Sequence, residues 1–204
     1  MSVLFVLKTS QFVMSLVENA DRRRAWQTAR DEADRRGRPL LNVGCPSTRL
    51  LRAHPCGDVC LDSDIRRLAG CQAWEQCLAD VREIPYPAGT FGAALASHVL
   101  EHLPTPEDAE RALAELHRVA EVVYVVSPSP LNMVAWAVPD HHLWVSHWPD
   151  GSLTFQQRHR GAEAGEVLHP LLERLWERKD AAEISLRTGI PVDRLLPGER
   201  GGLG

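Results

Sequence analysis

A chain of 204 residues has room for one domain of ordinary size with a full hydrophobic core and a modest appendage. Hydrophobic residues at 44% and charged residues at 25% exclude disorder and a small disulfide scaffold, and a net charge of -4 argues against a surface built to neutralise nucleic-acid phosphates. The five cysteines, Cys45, Cys56, Cys60, Cys71 and Cys77, form no CxxC pair and no even framework, so reduced thiols in a cytoplasm are the simplest reading.

Residues 1–36 read as an N-terminal helical segment. Its apolar start is interrupted by Lys8, Thr9, Ser10 and Gln11 and lacks a basic region ahead of it. It is also shorter than the roughly 20 apolar residues of a membrane span. Leu4, Phe5, Phe12, Val13, Leu16 and Val17 share one helical face, which suits docking on the domain, on a protein partner or on a second copy of the chain. Ala25, Ala29 and Ala33 recur every four residues, and Gly37 ends the helix. Arg22, Arg23, Arg24, Arg30, Arg35 and Arg36 are interleaved with Asp21, Asp31, Glu32 and Asp34, the pattern of a solvated face.

Residues 37–130 alternate strands with helices. Leu40, Leu41, Asn42 and Val43 lie between Pro39 and Gly44 as a strand buried on both faces, and a second apolar run, Val59, Cys60 and Leu61, stops at Asp62. A helix can start at 65–69. A third run covers 91–96, after the turn-forming Pro85, Pro87 and Gly89. Thr105 is placed to cap a helix over 104–119, with Pro106 in its first turn and Leu113, Leu116 and Val119 on one face. The β-branched run at 121–126 reads as a central strand. This order implies an α/β, Rossmann-like, doubly wound and mainly parallel sheet with helices on both faces.

Residues 131–204 complete or cover the domain, with two strands at 141–147 and 153–158 joined by a turn, a helix at 163–180 and a tail. Trp136, Trp144, Trp148, Trp176 and Phe155 fall here; they pack the elaboration on the sheet or, if exposed, mark a protein interface. Asp140, His141, His142 and His147 suggest a metal at first sight, but neighbours on a strand point to opposite faces. A zinc site from Cys56, Cys60, Cys71 and Cys77 meets irregular spacings and a Cys60 inside a buried strand. No metal is assigned.

In doubly wound sheets, ligands bind beyond the carboxyl ends of the strands. The loops there read Asn42-Val43-Gly44-Cys45-Pro46-Ser47-Thr48, Leu61-Asp62-Ser63-Asp64, Ala79-Asp80-Val81 and Ser97-His98-Val99-Leu100-Glu101-His102-Leu103. Taken together, over residues 38–127, they resemble the class I S-adenosylmethionine-dependent methyltransferases, in particular the branch that acts on small molecules and commonly carries V-L-E-H-L in the fourth loop. The resemblance implies S-adenosylmethionine as cofactor, bound through Asn42, Gly44, Cys45, Asp62, Asp80, Val81 and Ser97. Asp62 would accept the ribose hydroxyls and Asp80 the adenine amino group, with the Val81 backbone reading the ring. His98, Glu101 and His102 would border the methyl group and the acceptor as catalytic residues. Relatives usually have an acidic residue where Asn42 stands and G-x-G-x-G where this chain has Gly44, Pro46 and Thr48.

Two functions follow. One is methyl transfer from S-adenosylmethionine to a small-molecule acceptor, with no nucleic acid and no transmembrane segment expected. The other is a non-catalytic scaffold or assembly protein that kept the fold and lost the cofactor. A nicotinamide enzyme is disfavoured because its G-x-G-x-x-G fingerprint is missing.

Overall fold

Leu40–Val43 (β1), Val59–Asp62 (β2) and Ala93–Ser97 (β4) are buried along their whole length, as expected of runs with few polar side chains inside a parallel sheet. A computed structural model describes residues 3–45, 55–130, 132, 135–136, 138–148 and 150–158, with side chains from residue 16 onward. Pro46, Ser47 and Thr48, the helix expected at 163–180 with Trp176, and the side chains of Leu4, Phe5, Phe12 and Val13 lie outside the described residues. The chain divides into a unit Met1–His159 and a unit Arg160–Gly204. All described residues belong to the first.

With Glu75–Leu78 (β3) and Val123–Val126 (β5), the strands form a parallel sheet of order β3-β2-β1-β4-β5. The chain winds outward from β1 to β3, returns beside β1 as β4, and winds the other way. A crevice therefore opens at the carboxyl ends of β1 and β4, the switch point where such sheets bind ligands. Strand β3 is absent from the sequence reading because it is an exposed edge, E-Q-C-L, with no apolar run to betray it. The run expected at 91–96 becomes a strand only from Ala93; Phe91 precedes it in a single bridge to Ala120.

Helices cover both faces. On one, Ala25, Ala29 and Ala33 of the long helix Val3–Arg36 (α1) lie against Leu40, Ala93 and Leu95. The four-residue alanine repeat brings the backbones close, and Gly92 brings them closer still: a Cβ there would stand 2.9 Å from the Ala33 Cα. Gly92→Ala is expected to cost about 1–3 kcal/mol of overpacking and to lower the urea midpoint; an unchanged midpoint would show that α1 can shift away freely. The short helix Ile65–Leu68 (α2) packs on the same face through Leu68 and Cys60.

On the other face, Pro106–Val119 (α3) buries Ala109, Ala112, Leu116 and Val119 against Leu41, Val43, Leu61, Ala94 and Ala96. The Thr105 hydroxyl accepts from the Asp108 backbone N–H at 3.2 Å, the capping bond expected of it. Leu143–His147 (β6) and Leu153–Gln157 (β7) form an antiparallel hairpin whose Leu143, Val145 and Phe155 join that core. The tryptophans serve packing here: the Trp136 and Trp144 rings lie 4.5 Å apart, with the Arg158 guanidinium over both.

Helix α1 departs from the expected solvated face at Arg30, whose guanidinium reaches Asp58 at 2.6 Å, and at Arg22. Arg22 is partly buried, and its Nε donates to the Ser97 Oγ at 3.0 Å, at the end of β4. One turn earlier, Glu18 accepts from the Ser129 N–H and the Asn132 amide. Leu16 and Val17 are 53% and 48% exposed, so this part of the apolar face is not covered by the domain.

Candidate functional site

A cavity of about 410 Å³ opens at the switch point, lined by Gly44, Asp62, Asp80, Val81, His98 and His102, among others. Four loops distant in sequence thus converge because the parallel sheet puts every strand's carboxyl end on one edge.

Gly44 ends β1 with φ +77, which L side chains rarely adopt, and a Cβ there would meet the Val99 side chain at 2.6 Å. Asn42 lies below it, fully buried and off the cavity, with its Nδ2 donating to the Gly44 carbonyl at 2.9 Å. A carboxylate could not make that bond, so Asn42 trades the acidic residue usual in relatives for a clamp on the glycine turn. Cys45 turns its backbone to the site and its thiol away: its N–H donates to the Asp62 Oδ2 at 2.9 Å. The other oxygen, Oδ1, accepts from the Asp64 N–H at 2.9 Å. A carboxylate offers about four lone-pair positions, so Asp62 is locked in place by two amides and, among the described residues, keeps two acceptor positions for a ligand.

Asp80 stands in the wall already paired. Both oxygens bond Arg82, which also reaches Asp108 at 2.8 Å. The guanidinium holds the Asp80 carboxyl below the ordinary carboxylate range, with burial pulling the other way. Val81 is buried beside it. Arg82 is a wall residue that the sequence reading missed, although its position two residues past Asp80 was available as a signal.

Fourth-loop residues divide. His98 faces the cavity with φ 56, a left-handed conformation unusual outside glycine, and its Nδ1 lies 3.7 Å from a Glu101 oxygen. Glu101 sits behind the wall, 1% exposed, with no hydrogen bond to either carboxylate oxygen among the described residues. Burial pushes its pKa up to about 8, with Arg22 opposing and Glu18 and Asp140 adding to the rise. Ser97 is buried under Arg22 and off the cavity. His102 lines the rim, its Nδ1 3.0 Å from the Asp140 carbonyl oxygen, and its ring meets His141 edge-on at 4.7 Å.

Burial, aided by the nearby His102, lowers His141 to about 4. The ligating atoms of Glu101, His102 and His141 fall within 4.8 Å of one another, so these three, rather than His141, His142 and His147, are brought together. Strand β6 begins only at Leu143, which frees His141 to turn inward while His142 stays exposed. His147 instead meets the Ser127 Oγ at 2.7 Å.

A parallel sheet wound in both directions from β1, with a glycine turn, an anchored carboxylate and one cavity at its switch point, is a Rossmann-like α/β domain. Residues 41–122 match the family model described as "Methyltransferase domain". This stretch, about two fifths of the chain, is thus similar to a methyltransferase domain, a resemblance that implies S-adenosylmethionine as cofactor.

No curated protein matches. Among solved structures, the [4+2]-cyclase SpnF is 22% identical over 40% of this chain and 34% of its own, with a TM-score of 0.31. The N-methyltransferase NodS from Bradyrhizobium japonicum, solved with S-adenosyl-l-homocysteine, is 14% identical over 48% of this chain and 55% of its own, at 0.35. The 1,6-didemethyltoxoflavin-N1-methyltransferase of Burkholderia thailandensis is 15% identical over 81% and 73%, at 0.34. The chain spans about a third of the length of SpnF and about half that of NodS. No helix among the described residues is long and apolar enough to cross a membrane.

Proposed function

We propose that this protein transfers a methyl group from S-adenosylmethionine to a small-molecule acceptor in the cytoplasm. The observation that carries the reading is Asp62: a carboxylate at the end of β2, fixed by the Cys45 and Asp64 amides, with spare acceptor positions on the cavity. Ribose hydroxyls fit such an acceptor, and a phosphate at that place would be repelled. Gly44 keeps the β1 turn free of a side chain, Asp80 and the Val81 backbone suit the base, and Arg82 orients Asp80.

The bound cofactor supplies the activated methyl group, so the chain's task is alignment of the acceptor and exclusion of water. His98 and His102 are the residues placed to orient that acceptor, and an imidazole can take the proton it sheds. Glu101 stands behind them, 3.7 Å from the His98 Nδ1. The exposed Leu16 and Val17 on α1 offer an apolar surface for a protein partner or second copy.

Calorimetric titration of the full chain with S-adenosylhomocysteine tests the reading. Micromolar affinity, about -8 kcal/mol, is expected. Absence of heat and of any thermal shift at millimolar ligand would instead favour a scaffold that has kept the fold alone.

A further inference from the structure

Four of the five cysteines meet at one place outside the cavity. The sulfurs of Cys45, Cys60 and Cys71, all buried, lie within 4.8 Å of one another, and the Cys56 sulfur is 2.9 Å from that of Cys71. They arrive from different elements: Cys45 from the exit of β1, Cys56 from the entry to β2, Cys60 from within β2 and Cys71 from the loop after α2. Cys77 is not among them. It pairs in register with Leu61, so the alternation of side chains sends it to the opposite face, into the core under α3.

Sulfurs bound tetrahedrally at about 2.3 Å to one zinc ion stand about 3.8 Å apart, which small rotations of these side chains would reach. Backbone hydrogen bonds from Gly57 to Cys60 and from Ala73 to Cys71 aim positive dipoles at the sulfurs, the outer-shell support that metal thiolates receive. Simple core filling asks for neither converging sulfurs nor amides directed at them.

We infer that Cys45, Cys56, Cys60 and Cys71 form a structural site for a thiophilic divalent metal, zinc in a cell. Each thiol gives up its proton as it ligates. The site lies beside the Cys45 amide that holds Asp62.

The test is the metal content of the full chain, expressed with added zinc, purified without chelator and measured by plasma mass spectrometry. About one zinc per chain, released by a mercurial reagent, is expected in the wild type and in C77S, and little in C60S or C71S. A wild type without zinc, or a C77S that loses as much as C60S, overturns the site. Should C60S and C71S prove insoluble, cobalt(II) added to reduced, metal-free wild type decides: a sulfur-to-cobalt charge-transfer band saturating at one equivalent supports the site, and its absence refutes it. A Cys56–Cys71 disulfide in metal-free protein purified from the cytoplasm also refutes it.

Discussion

Asp62→Asn is expected to weaken S-adenosylhomocysteine binding by about 100-fold or more, read by calorimetry. Hydrogen bonds to a charged group contribute roughly 1.5–3 kcal/mol each, and the two ribose bonds both depend on this carboxylate. Asp62 also receives the Cys45 and Asp64 amides on its two oxygens, and an asparagine keeps only one oxygen to accept with, so one of these bonds is lost and an NH2 faces an N–H. A stability loss of about 1–2 kcal/mol is therefore expected beside the binding loss. Undiminished affinity in a folded Asp62→Asn protein would remove Asp62 from the cofactor site.

The second large effect concerns pH. Glu101 ionises at an ordinary 4.5 in the unfolded chain but near 8 in the folded one, because burial disfavours its charge. Between these values the native state binds more protons than the unfolded state, so stability falls as pH rises from about 4.5 to about 8 and levels off above. Each unit of displacement is about 1.4 kcal/mol, so the decline amounts to several kcal/mol. Glu101→Gln keeps the shape and removes the ionisation; it should flatten this decline and exceed the wild type in stability at alkaline pH. Urea midpoints of both proteins across that range measure it. An equally steep decline in the variant would place its origin in other groups.

What could be read from the sequence follows burial. Strands β1, β2 and β4 announce themselves because strands inside a parallel sheet need apolar side chains on both faces; β5, expected to be central, is instead a half-buried edge strand, legible only through its β-branched run. Strand β3, at the edge, keeps Glu75 and Gln76 in solvent and leaves no such trace. Asp62 and Gly44 were legible because ligand sites in this architecture follow strand ends. Arg22 was not: it is one of a crowd of helix arginines and is singled out only by α1 crossing the end of β4. The thiol cluster was hidden for the same reason. Spacing along the chain grouped Cys77 with Cys56, Cys60 and Cys71, whereas the pleat of β3 sends Cys77 to the other face and the exit of β1 brings Cys45 to the cluster.

The cavity wall begins at Val43 and takes its last residue, Asp140, from beyond β5. No hairpin or helix pair contains enough of it to bind anything, and in the unfolded chain it does not exist. Ligand occupancy is therefore linked to the global folding equilibrium rather than to local ordering, and free cofactor stabilises the whole unit by RT ln(1 + [L]/Kd). Inside a cell, the supply of cofactor would set how much of this chain persists as well as how fast it works.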